Sequence, residues 1–295
     1  MKWPQPLILI WNTYYGENFL KYWSINNLTE QCPYKCHYSD DRNLERNATV
    51  LFFHIRDKVD PLPKQRSPKQ LYTFFVIESP PHTWDWGRYF PRNFFNITMT
   101  YRSDSDVNVP YDMFESYNKE DVKNGGINLN EIWTEKEVID KNVFNLQIIF
   151  SLKFFILLKI DNKIDKKEKL TLQFVTNCKT NSRREKYIEE LKKYTEITQM
   201  GGCVGKKDCG RECEDKLIDF HFFYLAFENS VCDEYLSEKF WRIKNLIVPV
   251  ILSRKIFKNE TIPKDSFIAA DDFATPKELI EYLKDVAADK KLYKR

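Results

Sequence analysis

Two arginines, an amide, carboxylates and a lysine follow apolar runs in the second half of the chain, a placement that suits a nucleoside diphosphate. The run Leu170–Thr176 leads into Asn177 and Cys178, then Arg183 and Arg184 at the start of a helical pattern. The run Phe222–Phe227 leads into Glu228, Asn229 and Ser230, then Tyr235, Glu238 and Lys239. Helix N-termini offer unpaired N–H groups to phosphate, Arg and Lys balance its charge, and a carboxylate can hold ribose hydroxyls. Neither Gly-x-Gly-x-x-Gly nor Gly-x-x-x-x-Gly-Lys-Ser/Thr occurs, so no dinucleotide fingerprint or Walker loop is available. The residues alone point to a nucleotide- or nucleotide-sugar-binding α/β protein.

Other candidates are weaker on residue type alone. Glu78, ahead of Ser79-Pro80, reads as an ordinary strand-end carboxylate. Cys203, Cys209 and Cys213 lack Cys-x-x-Cys spacing and have only His221 nearby, so disulfides are favoured over zinc. His54 and His82 read as hydrogen-bonding residues rather than catalysts.

The elements that must position these groups follow from apolar periodicity. Leu7–Trp11, Val50–Ile55, Tyr72–Ile77 and Ile97–Tyr101 are rich in β-branched or aromatic residues and read as strands. Their near-continuous apolar character predicts strands covered on both faces, as in parallel sheets. Leu170–Thr176, Phe222–Phe227, Ile247–Leu252 and Phe267–Ala270 read as further strands. Helices are expected over Ser182–Tyr194, over Tyr235–Leu246 and from the capping box Thr275-Pro-Lys-Glu278 through Ala287. Alternating strands and helices predict a Rossmann-like domain whose ligand lies beyond the strand carboxyl ends. Val143–Ile160 is apolar but interrupted by Asn145, Gln147 and Lys153, so a buried helix or strand pair is preferred to a membrane span.

Composition bounds the rest. The 295 residues suffice for two domains. A net charge of +3 is too small for a nucleic-acid binder led by phosphate attraction. The 42% hydrophobic content excludes a disordered chain. Seven cysteines and sequons at Asn27, Asn47, Asn96 and Asn259 favour an oxidising secretory lumen. The odd cysteine count leaves one thiol free or paired outside the chain. No secretory signal is legible at the N-terminus, so a targeting segment would lie outside this sequence.

The block Phe222–Ser230, then Cys232 and Tyr235-Leu-Ser-Glu-Lys-Phe240, resembles the Phe-Glu-Asn-Ser and Tyr-x-Thr-Glu-Lys signature of the α1,3-fucosyltransferases of glycosyltransferase family 10. Glu78-Ser-Pro80 and Asn96–Arg102, followed by Ser105-Asp106 and Pro110-Tyr111, resemble a second block of that family. Smaller similarities run in order from Ile8–Trp11 to Phe273. Ser237 stands where the family has Thr, and Phe220-His221-Phe222 where Tyr-Lys-Phe is common. Residues 143–160 have no evident counterpart.

The resemblance implies a GT-B fold: two Rossmann-like domains facing across a cleft. Residues 1–140 would form the acceptor-side domain, 141–168 a junction, and 169–295 the GDP-fucose-binding domain, short of its closing segment. It implies inverting transfer of L-fucose from GDP-β-L-fucose to the 3-hydroxyl of GlcNAc in a glycoprotein glycan. Glu78 would be the general base, and Arg184 and Lys239 the phosphate-binding cations. Asn229, Tyr235 and Glu238 would contact the donor, Glu238 at the ribose, and Arg102 would line the cleft. No cofactor or metal site is expected, a divalent ion being at most a stimulant. Asp104-Ser-Asp106 is therefore read as a structural loop. Asn96, whose sequon overlaps a predicted strand, is expected to be buried and unglycosylated. The implied partners are GDP-fucose and a GlcNAc-bearing glycan, with no nucleic acid. The implied location is the Golgi lumen, with membrane attachment through an anchor absent from this chain. The alternative is a non-catalytic relative that binds nucleotide or glycan.

Overall fold

A computed structural model describes residues 5–21, 34–83, 89–114, 161–205, 210–257 and 262–294. The chain divides into two compact units, Met1–Pro110 and Tyr111–Arg295. Residues 141–160 of the expected junction, with the whole of the apolar 143–160 stretch, lie outside the described residues, and 161–168 belong to the second unit.

The first unit carries strands β1 (Leu7–Ile10), β2 (His37–Ser39), β3 (Val50–His54), β4 (Leu71–Val76), β5 (Ile97–Thr100) and β6 (Val107–Asn108). They form one sheet in the order β2-β1-β3-β4-β5-β6, every pair parallel. Side chains alternate across a strand, so a run of apolar residues supplies both faces at once. Leu51, Phe53, Tyr72 and Val76 pack in one cluster, while Phe52 and Phe75 join Ile10 and Phe19 in another. That two-sided burial is what the continuous apolar runs predict. The strands β2 and β6 escape sequence reading because they are short, polar edge strands.

The second unit holds β7 (Lys169–Phe174), β8 (Ile197–Met200), β9 (His221–Leu225), β10 (Val248–Ile251) and β11 (Ile268–Ala269). Their order is β11-β10-β9-β7-β8, again parallel throughout. Helices α1 (Arg184–Leu191), α2 (Arg211–Phe220), α3 (Pro276–Ala288) and α4 (Lys290–Tyr293) accompany the sheet. On one face Phe223, Leu225 and Val250 pack with Ile188 and Leu191 of α1 and Leu279, Ile280 and Leu283 of α3. On the other, Leu172, Tyr224 and Ile251 pack with Ile218 of α2 and with Phe240 and Trp241.

The capping box opens α3 as expected: Thr275 accepts from Glu278 N at 3.2 Å. Glu278 Oε2 reaches back to Ala274 N at 3.2 Å, one residue beyond the usual box partner. Helix α2 is absent from the sequence reading because its ten residues are strongly charged and bury only Ile218.

The helix expected over Tyr235–Leu246 does not form. A 3-10 turn, Phe240–Asn245, takes its second half, and the chain before it is irregular. Left-handed residues flank the segment, Glu234 at φ 61° and Leu246 at φ 59°, and Ser237 N–H donates to the Glu228 carboxylate at 2.8 Å.

One glycine is fixed by close approach. Gly201, just past β8, has φ +111°, and a Cβ there would lie 2.4 Å from the carbonyl oxygen of Val175. Gly201→Ala is expected to cost about 2–4 kcal/mol, through left-handed strain together with a backbone clash. Urea unfolding measures it, and a loss below 0.5 kcal/mol, by the scale of neutral surface changes, would contradict the assignment.

Candidate nucleotide-sugar site

An open parallel sheet binds ligands where successive connections leave in opposite directions, at the strand carboxyl ends. In the second unit that point lies between β7 and β9, since β8 flanks β7 on one side and β9 on the other. The segments leaving β7 and β9 are stitched together there. Ser182 N–H donates to Asn229 O at 2.9 Å, and Ser182 Oγ donates to Glu228 O at 2.7 Å. Arg184 Nη1 donates to Phe227 O at 2.5 Å and its Nη2 to Asn177 O at 3.1 Å.

Arg184 is therefore more constrained than its sequence position suggests. It is 3% exposed, and among the described residues its Nε has no hydrogen-bond partner. Two of its nitrogens hold strand-end carbonyls, so its charge is presented through a fixed guanidinium. Asn229 Oδ1 and Ser230 Oγ are likewise buried without a hydrogen-bond partner among the described residues. Unmet buried polar atoms at a sheet switch point are what a polar ligand would satisfy.

Beside them lies a charged cluster that the sequence reading missed in part. Glu228 is buried, and its carboxylate accepts from Ser237 N at 2.8 Å and from Ser237 Oγ at 2.7 Å. Lys239 Nζ stands 3.2 Å from Glu228 Oε2, 2.9 Å from Glu238 Oε1 and 2.8 Å from Ser237 Oγ. Burial pushes the Glu228 carboxyl up, against the pull of Lys239 and Ser237. Burial alone would lower Lys239, but Glu228 and Glu238 outweigh it and hold the ammonium above the ordinary lysine range. Lys239 is thus cationic at any physiological pH. Burial opposes ionisation of Glu238 as well, and Lys239 prevails, holding that carboxyl below its usual range.

The sequence places Glu228 after a strand but gives no sign that it is buried or paired. Its partner Ser237 lies nine residues away, and only the fold makes them neighbours. Tyr235 differs in the opposite sense: expected at the ligand, its ring is 1% exposed and stands edge-on to Tyr111 at 6.3 Å. Asn229, Tyr235, Glu238, Lys239 and Arg184 are all brought to the loops that follow β7 and β9, while Glu78 belongs to the first unit.

In the first unit the switch point lies between β1 and β3. Asn12 joins the two strand ends, donating from Nδ2 to His54 O at 2.7 Å and accepting from His54 N at 2.9 Å. Asp57 Oδ2 accepts from Thr13 Oγ1 at 2.6 Å and Gly16 N at 2.7 Å. Glu78 follows β4. Tyr15 OH lies 3.5 Å from its Oε1, while His82 Nδ1 at 3.3 Å and Arg56 Nη1 at 3.7 Å approach Oε2. Burial, then the Glu78 carboxylate, holds the Tyr15 phenol above the ordinary tyrosine range, so it stays a donor. His54 is fully buried, and neither ring nitrogen has a hydrogen-bond partner among the described residues. Burial pushes this imidazole down despite Asp57 at 3.6 Å, which leaves it neutral near pH 7.

The Asp-x-Asp loop is a latch. Asp106 Oδ2 accepts from Thr98 N and Thr98 Oγ1, both at 2.8 Å, and Asp104 binds the Arg102 guanidinium. No group of three or more His, Cys, Asp or Glu suited to a metal occurs among the described residues. Asn96 corrects an expectation: it is exposed, not buried, because it lies in the bend just before β5 rather than within the sheet. Its Oδ1 is nevertheless engaged by Tyr72 N and Arg66. Asn47 is exposed at the end of a 3-10 turn; Asn27 and Asn259 lie outside the described residues.

Disulfides replace the zinc option. Cys178 is bonded to Cys203, tying the segment after β7 to the turn after β8, and Cys213 is also disulfide-bonded. His221 is occupied elsewhere, through Leu217 O at 2.6 Å and Thr198 Oγ1 at 2.8 Å. The Cys178–Cys203 link closes 25 residues. Cys203→Ser is expected to lower stability by about 3–4 kcal/mol through the restored freedom of the unfolded chain. Denaturant unfolding reads this out; an unchanged midpoint would mean the link does not restrain the unfolded chain.

Two Rossmann-like units with all-parallel sheets make this a GT-B-type α/β protein. The fold matches the crystal structure of an α1,3-fucosyltransferase with GDP-fucose, with a TM-score of 0.61 over 99% of this chain and 81% of that one at 16% identity. Residues 4–112 match the family model described as fucosyltransferase, N-terminal, and residues 164–295 match glycosyltransferase family 10 (fucosyltransferase) C-term. The chain belongs to glycosyltransferase family 10, the fucosyltransferases. It is 30% identical to an α-(1,3)-fucosyltransferase of Caenorhabditis elegans over 97% of its own length and 57% of that protein's. It is 31% identical to α-(1,3)-fucosyltransferase C of Drosophila melanogaster, covering 97% of this chain and 67% of the relative. A mouse 4-galactosyl-N-acetylglucosaminide 3-α-L-fucosyltransferase 9 is 32% identical, with 97% and 69% covered. The chain thus spans between about half and two thirds of these relatives. No described helix is long and apolar enough to cross a membrane.

Proposed function

We propose that this chain is the catalytic region of an inverting α1,3-fucosyltransferase, moving L-fucose from GDP-β-L-fucose to the 3-hydroxyl of GlcNAc in a glycoprotein glycan. The observation that carries this reading is the gathering of Arg184, Asn229, Glu238 and Lys239 on the loops beyond β7 and β9, in a chain of this family. Glu78 would take the proton of the acceptor hydroxyl as that oxygen attacks C1 of fucose. The bond from C1 to the phosphate oxygen breaks on the opposite face, converting the β donor into an α product. Negative charge grows on the departing diphosphate, and fixed cations lower the barrier by meeting it. Lys239 and the anchored Arg184 would fill that role, Glu238 would hold ribose hydroxyls, and Asn229 would offer its unmet amide. Tyr235 would shape the site from beneath, given its burial. The Golgi lumen suits the disulfides and sequons.

The test is transfer from GDP-fucose to a panel of core-type and antennal GlcNAc acceptors, with the product linkage read by NMR. An α1,3 product establishes the reading and supplies the acceptor. Saturable GDP-fucose binding without transfer to any acceptor would favour the non-catalytic alternative.

A further inference from the structure

Lys239 is already saturated by the protein. Its three N–H donors face Ser237 Oγ at 2.8 Å, Glu238 Oε1 at 2.9 Å and Glu228 Oε2 at 3.2 Å. Two carboxylates flank this one ammonium and offset its pull on an incoming anion. The two carboxylates differ in freedom. The Glu228 side chain is 6% exposed and pinned by Ser237, whereas the Glu238 side chain is 61% exposed. Glu228 is thus a fixed counter-ion and Glu238 a movable one. Arg184 adds its own charge nearby, but from a fixed position, because two of its nitrogens hold Phe227 O and Asn177 O.

We propose that Glu238 is a specificity-determining residue that screens Lys239 from bare phosphate anions and releases it only to a ligand carrying a ribose and a diphosphate together. This rests on the donor-site reading given above. A nucleoside diphosphate exchanges the Glu238–Lys239 pair for two new contacts, ribose hydroxyls on Glu238 and phosphate on Lys239. Inorganic pyrophosphate breaks the same pair and offers Glu238 no donor in return. Recognition of the sugar and of the diphosphate is thereby coupled through one ion pair.

The inference predicts opposite signs for two ligands on one variant. Calorimetry on the full chain at low ionic strength compares GDP with inorganic pyrophosphate, for wild type and Glu238→Gln. GDP is expected to bind about tenfold more weakly to the variant, through the lost carboxylate contact. Pyrophosphate is expected to bind about two- to fivefold more tightly, the range for removing an exposed counter-ion. That gain should fade in high salt, and it should vanish when Lys239→Ala is added. A merely structural role for Glu238 weakens both ligands together. Pyrophosphate affinity that is unchanged or reduced in Glu238→Gln overturns the proposal while leaving the donor site intact. A gain that survives Lys239→Ala overturns it too, since the anion would then be binding elsewhere. Wild-type chain that is folded yet does not bind GDP would instead overturn the donor-site reading and, with it, this inference.

Discussion

Glu78→Gln is expected to reduce fucose transfer by about a thousandfold or more while leaving GDP affinity within threefold. The amide is isosteric and can still meet Tyr15, Arg56 and His82, which approach the carboxylate. What it cannot do is accept a proton from the acceptor hydroxyl. Loss of a positioned general base costs factors of roughly 10²–10⁴, and the upper part of that range applies when the attacking alcohol has no other base nearby. GDP affinity is the control, because Glu78 belongs to the first unit whereas Arg184, Asn229, Glu238 and Lys239 belong to the second. The measurement is a pair: initial rate with GDP-fucose and a GlcNAc acceptor, and a GDP titration on the same preparation. Wild-type turnover in the variant would remove Glu78 from the base role. Parallel loss of turnover and GDP binding would point to a misfolded chain and call for Glu78→Asp, which keeps the carboxylate.

Lys239→Ala should weaken GDP binding at least tenfold, and it should also destabilise the second unit in a pH-dependent way. The first effect is the loss of a charge-assisted contact of roughly 1.5–3 kcal/mol. The second follows from Glu228, which is buried and loses its ion-pair partner. Removing one member of a buried pair typically costs about 3–5 kcal/mol, although Ser237 still donates to Glu228 and holds the loss towards the lower end.

The sign of the pH dependence comes from linkage. Burial already raises the Glu228 carboxyl, and loss of Lys239 raises it further, so the folded variant holds a proton that the unfolded chain releases near pH 4.5. Stability of the variant therefore falls as pH rises above that value and recovers on acidification. In the wild type the raised Lys239 carries the same sign in a far more alkaline window. Its contribution is full at neutral pH and is lost only as pH climbs through the folded-state value above the ordinary lysine range. Unfolding midpoints at pH 5.5 and pH 8 would separate these effects. A variant equally destabilised at both would sink the buried-pair account, and unchanged GDP affinity would remove Lys239 from the phosphate role.

The sequence determined the parallel α/β architecture, because burial on both faces of a strand leaves a continuous apolar run that needs no knowledge of neighbours. Val50–His54 and Leu71–Val76 were readable within a residue or two for that reason. The cap at Thr275 was legible because it is local, spanning residues 274–278. The candidate donor residues were legible by type and by their place after strands, and the Phe-Glu-Asn-Ser and Glu-Lys elements supplied the family.

The tertiary structure decided what each of those residues has to work with. Nothing local marks Glu228 as the buried anchor of Ser237 and Lys239, or Arg184 as a clamp on Phe227 and Asn177, 43 and 7 residues away. The irregular chain at Tyr235–Lys239 was likewise not legible, since its apolar spacing suits a helix while the Ser237 amide is bound to Glu228, nine residues away. Periodicity records which faces meet the core. A polar side chain's partner is set by where the backbone brings another polar group, and an unpaired buried group costs enough for that meeting to override local preference.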